Sequence, residues 1–162
     1  MGYIAAEQVH VVDVLEPAAD AAGRNSLAVS LKAFSGVAIV EASINQGNAA
    51  TVALTLQQCT AVAGTSAKAL TVNVPIYVSQ DVGGASGDVL TRQSDGVAFT
   101  TSAATTRKTV RFVIDPATLD LAGGFDCIRF TTGASNAANI TSGRVILFPK
   151  YAQASGTSAR VD

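Results

Sequence analysis

The residues that could carry out chemistry are few and lie far apart in this 162-residue chain. The single histidine, His10, lies among valines and cannot by itself supply a histidine-based metal site or a catalytic triad. Two carboxylate pairs, Asp13 with Glu16 and Asp115 with Asp120, have the side chains that general acid–base catalysis uses. Both pairs fall where predicted strands end and turns begin, so we interpret them as turn and capping residues.

Asp81 and Asp88 flank a loop rich in glycine and serine and could offer oxygen ligands to calcium. Their spacing matches no EF-hand and the terminal glutamate of that motif is missing, so we interpret them as solvating the loop. The sequence contains no glycine-rich phosphate loop, no Cys-x-x-Cys and no His-Glu-x-x-His. We therefore predict no catalytic, cofactor-binding or metal-binding residue, and a protein that is not an enzyme.

The chain carries little charge: 14% of its residues are charged and the net charge is −1, whereas an ordinary soluble domain has about 25% charged residues. Without a basic excess, nucleic acid is a poor candidate partner. A surface with so few charges is weakly protected against association. We expect part of it to be covered by other copies of the chain or by a partner.

The densest basic cluster consists of Arg107, Lys108 and Arg111. In a strand, Arg107 and Arg111 share one face while Lys108 lies on the other with Val110 and Phe112. This pattern favours the guard of an edge strand or a salt-bridge site over a phosphate site.

The sequence also restricts location. The first ten residues lack the basic start and apolar run of a signal peptide, and no stretch approaches the about 20 apolar residues of a membrane span. We predict no membrane partner. Cys59 and Cys127 lie on strand-like stretches; we interpret them as buried, reduced thiols made in a reducing cytosol, with a disulfide between them as the alternative.

Two long alternating stretches are the elements around which the other strands are arranged. Residues 51–60 place Val52, Leu54 and Leu56 on one face, and residues 69–79 form an unbroken series of five apolar side chains at every second position. Such alternation predicts half-buried β-strands. Because Pro75 cannot donate to a ladder, the second strand should be at an edge or bulged there.

The remaining segments predict further short strands at residues 9–15, 26–34, 37–44, 109–115, 125–131 and 144–148, and a hairpin over residues 89–101 that turns at Asp95-Gly96. With eight or nine strands and no long helix, we predict an all-β sandwich, with a jelly roll as the best arrangement. The domain should cover residues 9–151, between an N-terminal arm (residues 1–8) and a C-terminal tail (residues 152–162).

Several runs resemble a family of small virion structural proteins of tailed bacteriophages. They are PAADAAG (17–23), INQGNAATVAL (44–54), LTRQSDGV (90–97), GFDCI (124–128) and TGASNAANITS (132–142). The resemblance implies a capsid cement or decoration protein that binds the major capsid protein outside the head shell as a homo-oligomer, often a trimer. It places the protein in the virion after synthesis in the host cytoplasm, and it carries over no functional residue.

Two other functions are compatible with the same sequence. One is a receptor- or glycan-binding module of a fibre, spike or tail, although the scattered tyrosines Tyr3, Tyr77 and Tyr151 and the lack of tryptophan offer no aromatic platform for a sugar. The other is a head–tail joining component. Copy number and position in the particle distinguish these functions from a cement protein.

Overall fold

A computed structural model of the chain describes residues 8–34, 36–149 and 158–161. The described residues form twelve strands. These are β1 His10–Ala19, β2 Arg24–Asn25, β3 Val29–Ser30, β4 Ala38–Gln46, β5 Ala53–Cys59, β6 Lys68–Ala69, β7 Ile76–Ser79, β8 Thr91–Arg92, β9 Ala98–Thr100, β10 Arg107–Ile114, β11 Cys127–Thr132 and β12 Asn139–Leu147. The excess over the eight or nine predicted strands comes from pieces of two or three residues.

The strands form two antiparallel sheets. Sheet one has the order β1-β12-β4-β10-β7-β8, and sheet two has the order β2-β11-β5-β6, with β3 also beside β11 and β9 beside β5. The pairs are nested along the chain: β1 pairs with β12, β2 and β3 pair with β11, and β4 pairs with β10. A long hairpin that folds over itself in this way is a jelly roll. The predicted all-β sandwich is therefore confirmed.

The core lies between the two sheets and follows from the alternation within each strand. Leu54 and Leu56 of β5, Phe130 of β11 and Phe112 of β10 are fully buried in one cluster. Burying side chains of this size contributes about 1.5–3 kcal/mol each. Gly143 of β12 leaves room for the Phe130 ring, because a Cβ at that position would lie 2.3 Å from Phe130 Cζ.

The prediction for residues 51–60 is confirmed by β5, but the single strand predicted over residues 69–79 is wrong. The chain leaves sheet two after β6 and enters sheet one at β7. The connecting residues keep Leu70 and Val74 buried but leave Val72 45% exposed. Pro75 stands at the end of this crossing, where its carbonyl accepts a hydrogen bond from Val113 N at 3.0 Å.

The hairpin predicted over residues 89–101 is also wrong. Its two arms, β8 and β9, pair with different partners: β8 with β7 in sheet one and β9 with β5 in sheet two. Asp95 instead forms an ion pair with Arg92, with 3.0 Å between Oδ1 and Nη2. The Asp-Gly turn therefore joins two sheets rather than two neighbouring strands.

Two predicted turns have different outcomes. Pro17 does not end the first strand; β1 continues to Ala19 through two register shifts. After β10, the expected turn capped by Asp115 is present as the 3₁₀ turn Pro116–Thr118, where Asp115 Oδ1 accepts a hydrogen bond from Ala117 N at 2.9 Å. A second 3₁₀ turn, Leu121–Gly123, ends at Gly124 with φ of +79°, a conformation that favours glycine.

The predicted N-terminal arm lies outside the described residues except for Gln8, and of the predicted C-terminal tail only residues 158–161 are described. Ala159 in that segment is buried. Its carbonyl accepts a hydrogen bond from Ser30 N of β3 at 2.8 Å. The end of the chain thus lies against one border of sheet two.

A buried carboxylate, Asp20, joins the two sheets at the corner after β1. Asp20 Oδ1 accepts hydrogen bonds from Arg24 Nη2 at 2.9 Å and from Thr132 Oγ1 at 3.2 Å, and Oδ2 accepts one from Thr141 Oγ1. Thr132 belongs to sheet two and Thr141 to sheet one. A fully buried carboxylate needs such partners, because an isolated buried charge is strongly unfavourable.

Candidate functional site

The outer face of sheet one carries charged side chains in one line across four adjacent strands. The cross-strand register sets Asp13 opposite Arg144, Arg144 opposite Glu41, and Glu41 opposite Arg111. We call these four residues the ionic row. Directly opposite residues on one face lie within contact distance and interact, so the row alternates in sign from β1 to β10.

Glu41 is the centre of the ionic row and only 3% of its side chain is exposed. Its Oε2 lies 2.5 Å from Arg111 Nε, and its Oε1 lies 2.5 Å from Arg144 Nη2. Burial raises the pKa of Glu41, but the hydrogen bonds and charges of Arg111 and Arg144 outweigh burial and hold this pKa below its ordinary value. Glu41 is therefore a fixed carboxylate at neutral pH.

One pleat along from the ionic row lies a line of apolar side chains. The register sets Val11 opposite Ile146, Ile146 opposite Ile39, and Ile39 opposite Val113. We call these residues the apolar row. Val11 is 51% exposed, and Val37, which precedes β4, is 40% exposed. Apolar side chains in a line on an outer sheet face are typical of a surface that meets another protein.

On the other side of the ionic row, the outward residues are small and carry hydroxyl groups. Ser142, Ser43, Thr109 and Ser79 lie opposite one another in turn, and we call them the hydroxyl row. Here the bulged part of β1 borders a groove of about 450 Å³, with Glu16, Pro17, Glu41 and Ser43 among its lining residues. An adjoining groove of about 260 Å³ continues past Pro17 to Arg107 and Val82.

The edges of both sheets are guarded, which leaves the faces for association. In sheet one, the edge strand β1 is bulged and carries Asp13, Glu16 and Pro17, and the other edge, β8, has two residues. In sheet two, Ala159 is hydrogen-bonded to β3 and the edge strand β6 has two residues. Bulges, charges, proline and short strands are the features by which natural sheets prevent edge-to-edge pairing.

The basic cluster has the facing predicted for it. Arg107 and Arg111 point outward, whereas Lys108 points inward and is buried. Of the two roles predicted for the cluster, Arg111 fulfils the salt-bridge role, since β10 is an interior strand. Lys108 Nζ donates to the Ala104 carbonyl and to Thr106 Oγ1. Burial lowers the pKa of Lys108, and the charge of Asp81 partly offsets this effect.

The other residues considered from the sequence lie in structural contacts. His10 stacks on Phe34 with 5.9 Å between ring centroids. Asp81 Oδ1 accepts a hydrogen bond from Gly83 N at 3.1 Å within its own loop. Asp120 Oδ2 pairs with Lys68 Nζ at 2.7 Å. Within the described part of the chain, no group of three or more histidine, cysteine, aspartate or glutamate side chains has a metal-binding arrangement.

The two cysteines lie opposite each other on β5 and β11 and are both fully buried. Both are thiols in the structure. They form a small apolar cluster with Ala28 on the outer side of sheet two, and Val62 and Ala67 from the loop after β5 pack against it. The predicted burial of both thiols is confirmed.

The rest of the outer face of sheet two is small and mostly neutral. Thr131 lies opposite Thr55, which lies opposite Ala98. Beside this line, Arg129 Nε donates to Gln57 Oε1 across the strands at 2.7 Å. This face therefore has neither an apolar row nor a row of alternating charges.

Sequence reasoning named none of the ionic row as a site, apart from placing Glu41 on the outer side of its strand with Val37 and Ile39. That placement is confirmed. The missing information is register: Glu41, Arg111 and Arg144 come from three strands far apart in the chain, and alternation within each strand does not say which residues lie opposite.

The fold places the chain in the class of all-β jelly-roll sandwiches, and the comparisons with known proteins add no family to this. No protein-family model matches the sequence, and no curated protein matches it. Within the described residues, no helix is long and apolar enough to cross a membrane.

Three solved structures illustrate the range of similar folds. The SPBc2 prophage-derived protein YomS is 8% identical, with a TM-score of 0.48 over 86% of this chain and 92% of YomS. A putative sugar binding protein from Bacteroides thetaiotaomicron VPI-5482 is 11% identical, with a TM-score of 0.30 over 80% of this chain and 66% of that chain. A Desmodium yellow mottle tymovirus chain is 14% identical, with a TM-score of 0.21 over 91% and 90%. At these identities and TM-scores, none of the three assigns a function to this chain.

Proposed function

We propose that this chain is a non-catalytic structural protein of a tailed-bacteriophage particle, a cement or decoration protein that binds the major capsid protein on the outside of the head. The resemblance of its sequence to small virion structural proteins supports the setting. The observation that carries the proposal is the outer face of sheet one, which combines an apolar row and an ionic row on a sandwich whose edges are guarded.

The chemistry of that face suits binding better than catalysis. A general acid or base works best when its pKa is near the working pH. The pKa of Glu41 is instead held low by Arg111 and Arg144, whose own charges it balances. The carboxylate and the two guanidinium groups therefore act as fixed charges that orient a partner.

A cement role also fits the size and rigidity of the domain. A capsid offers many identical sites at short spacing, so a molecule that holds two sites at once gains from a high effective concentration. Modest contacts then add up to firm attachment. A jelly roll with satisfied edges can bind in this way without pairing with the edges of neighbouring sheets.

The test is the position and copy number of the chain in purified particles. We expect density for it on the outer head surface, at a stoichiometry near that of the major capsid protein, and binding of the purified chain to heads assembled without it. Its absence from particles would contradict the proposal. A few copies at a fibre, spike or tail, or at the head–tail junction, would favour the receptor-binding or joining function instead.

A further inference from the structure

The outer face of sheet one is complementary to itself. From β1 to β10, the ionic row reads negative, positive, negative, positive, as Asp13, Arg144, Glu41 and Arg111. A row of four alternating charges that is read in reverse places an opposite charge at every position. Like charges in direct contact across an interface are unfavourable and opposite charges fix its register.

We propose that this face binds a second copy of the chain about a two-fold axis. The axis lies between the two faces, runs along the strands and passes midway between β12 and β4. It sets Asp13 against Arg111 of the second copy, and Arg144 against Glu41 of the second copy. In a two-fold contact the same patch serves both subunits, so each pair occurs twice.

The same axis also matches the other rows, because rotation about the strand direction keeps each row at its own height. The apolar row meets itself, with Val11 over Val113 of the second copy and Ile146 over Ile39. The groove bordered by β1, with Asp13 and Glu16 among its lining residues, lies under β10 of the second copy. That strand presents the outward guanidinium groups of Arg107 and Arg111.

The area is sufficient for a specific contact. The four strands β1, β12, β4 and β10 have 10, 9, 9 and 8 residues. At about 4.8 Å between strands and about 3.4 Å per residue, the shared face measures about 19 Å by 30 Å. This buries about 1,100 Å² in total, just above the roughly 1,000 Å² that a specific interface needs. Two sheets stacked in this way would follow the aligned packing of β-sandwiches.

This contact predicts a dimer in place of the trimer that the sequence resemblance suggests. A trimer is built from two different surfaces, whereas a self-complementary face closes on two copies. The inference does not depend on the proposed role in a particle. If both hold, each dimer keeps two equivalent sets of other surfaces, which could bridge two capsid subunits.

The test is sedimentation equilibrium of the full chain with two variants that distinguish this register from any other. We expect a dimer for the parent chain. Val11→Lys places a charge against Val113 of the second copy, and Val113→Glu does the reverse, so each variant alone should weaken the dimer at least tenfold. An equimolar mixture should recover at least tenfold, because the new lysine of one copy then meets the new glutamate of the other.

Thr55→Lys, on the outer face of sheet two, is the matched control and should leave the dimer unchanged. Far-UV circular dichroism and thermal unfolding verify that each variant is folded; since Val11 is half exposed, its variant should match the parent chain. A monomer or a trimer for the parent chain would overturn the inference, and so would a mixture no tighter than its components. A dimer that is missing from particles would leave the inference intact and refute the cement role.

Discussion

The outer faces of the two sheets follow the same alternation rule but differ in what they leave exposed. Sheet two covers part of its outer face itself, since Val62 and Ala67 pack over Cys59 and Cys127. Its remaining outward residues are mostly threonine, glutamine and alanine. Sheet one presents an apolar row, an ionic row and a hydroxyl row, with Val11 more than half exposed.

This difference shows that solubility and association are divided between the two faces. Small neutral side chains on sheet two interact with water and attract no specific partner. The alternating charges on sheet one are paired within the molecule and are still 41% and 50% exposed at Arg111 and Arg144. They can therefore exchange water for a partner at a limited cost in desolvation.

The largest expected loss of stability comes from neither face but from the carboxylate that joins the sheets. Asp20→Ala removes the acceptor of Arg24, Thr132 and Thr141 in a fully buried position. Breaking such a buried cluster should lower the free energy of unfolding by about 3–5 kcal/mol, measured by urea denaturation. Asp95→Ala, in an exposed ion pair with Arg92, is the control and should cost less than about 1 kcal/mol. Equal losses in the two variants would contradict the role of Asp20.

A smaller loss is expected at the centre of the ionic row. Glu41→Gln leaves two arginines without their shared counter-charge, but both are partly exposed and can be hydrated. We expect a loss of about 1–3 kcal/mol. The counterpart on sheet two, Gln57→Ala, removes one neutral acceptor from Arg129 and should cost about 0.5–1.5 kcal/mol. A greater loss for Gln57→Ala would reverse the contrast between the faces.

Acid should remove the contribution of Glu41 selectively. Its pKa is lower in the folded chain than in the unfolded chain, so the stabilisation is present above the ordinary glutamate pKa, about 4.3, and is lost as the pH falls through the folded value. The difference in unfolding free energy between the parent chain and Glu41→Gln should therefore shrink towards strongly acidic pH. Taking the difference cancels other acid-sensitive groups such as Asp120, whose hydrogen bond from Lys68 also lowers its pKa.

A difference that stays constant from neutral to strongly acidic pH would mean that Glu41 stabilises the chain through packing rather than charge. Urea denaturation of both chains at several pH values provides the measurement.

Local alternation was enough to predict the sandwich and the facing of single strands. The 51–60 stretch became β5 because its apolar side chains meet a core on one side only, and Lys108 was placed on the inner side of β10 by the same rule. Alternation failed over residues 69–79 because a segment that crosses between sheets can also bury every second or fourth side chain. Leu70 and Val74 are buried, yet no ladder runs through Val72.

The candidate face could not be predicted, because it depends on pairing between distant strands. Glu41 meets Arg111 and Arg144, which follow it by 70 and 103 residues. Nested jelly-roll pairing creates these neighbours, and nothing local to any of the three residues identifies the other two. The ends of the ladder, where β1 shifts register past Asp13, depend in the same way on contacts with β12.

The smallest expected effect tests whether the loop after β5 shields the face of sheet two. Val62→Ser weakens the packing over Cys59 and Cys127, and the loss of one partly buried apolar contact should cost about 0.5–1.5 kcal/mol. Buried thiols are inert until they are exposed, so the two cysteines should react several-fold faster with a disulfide reagent under native conditions. Val89→Ser, at a side chain 63% exposed, should leave the rate unchanged. If Val62→Ser also left it unchanged, the thiols would become accessible only through unfolding of the sandwich, and the cover over sheet two would be as stable as the core beneath it.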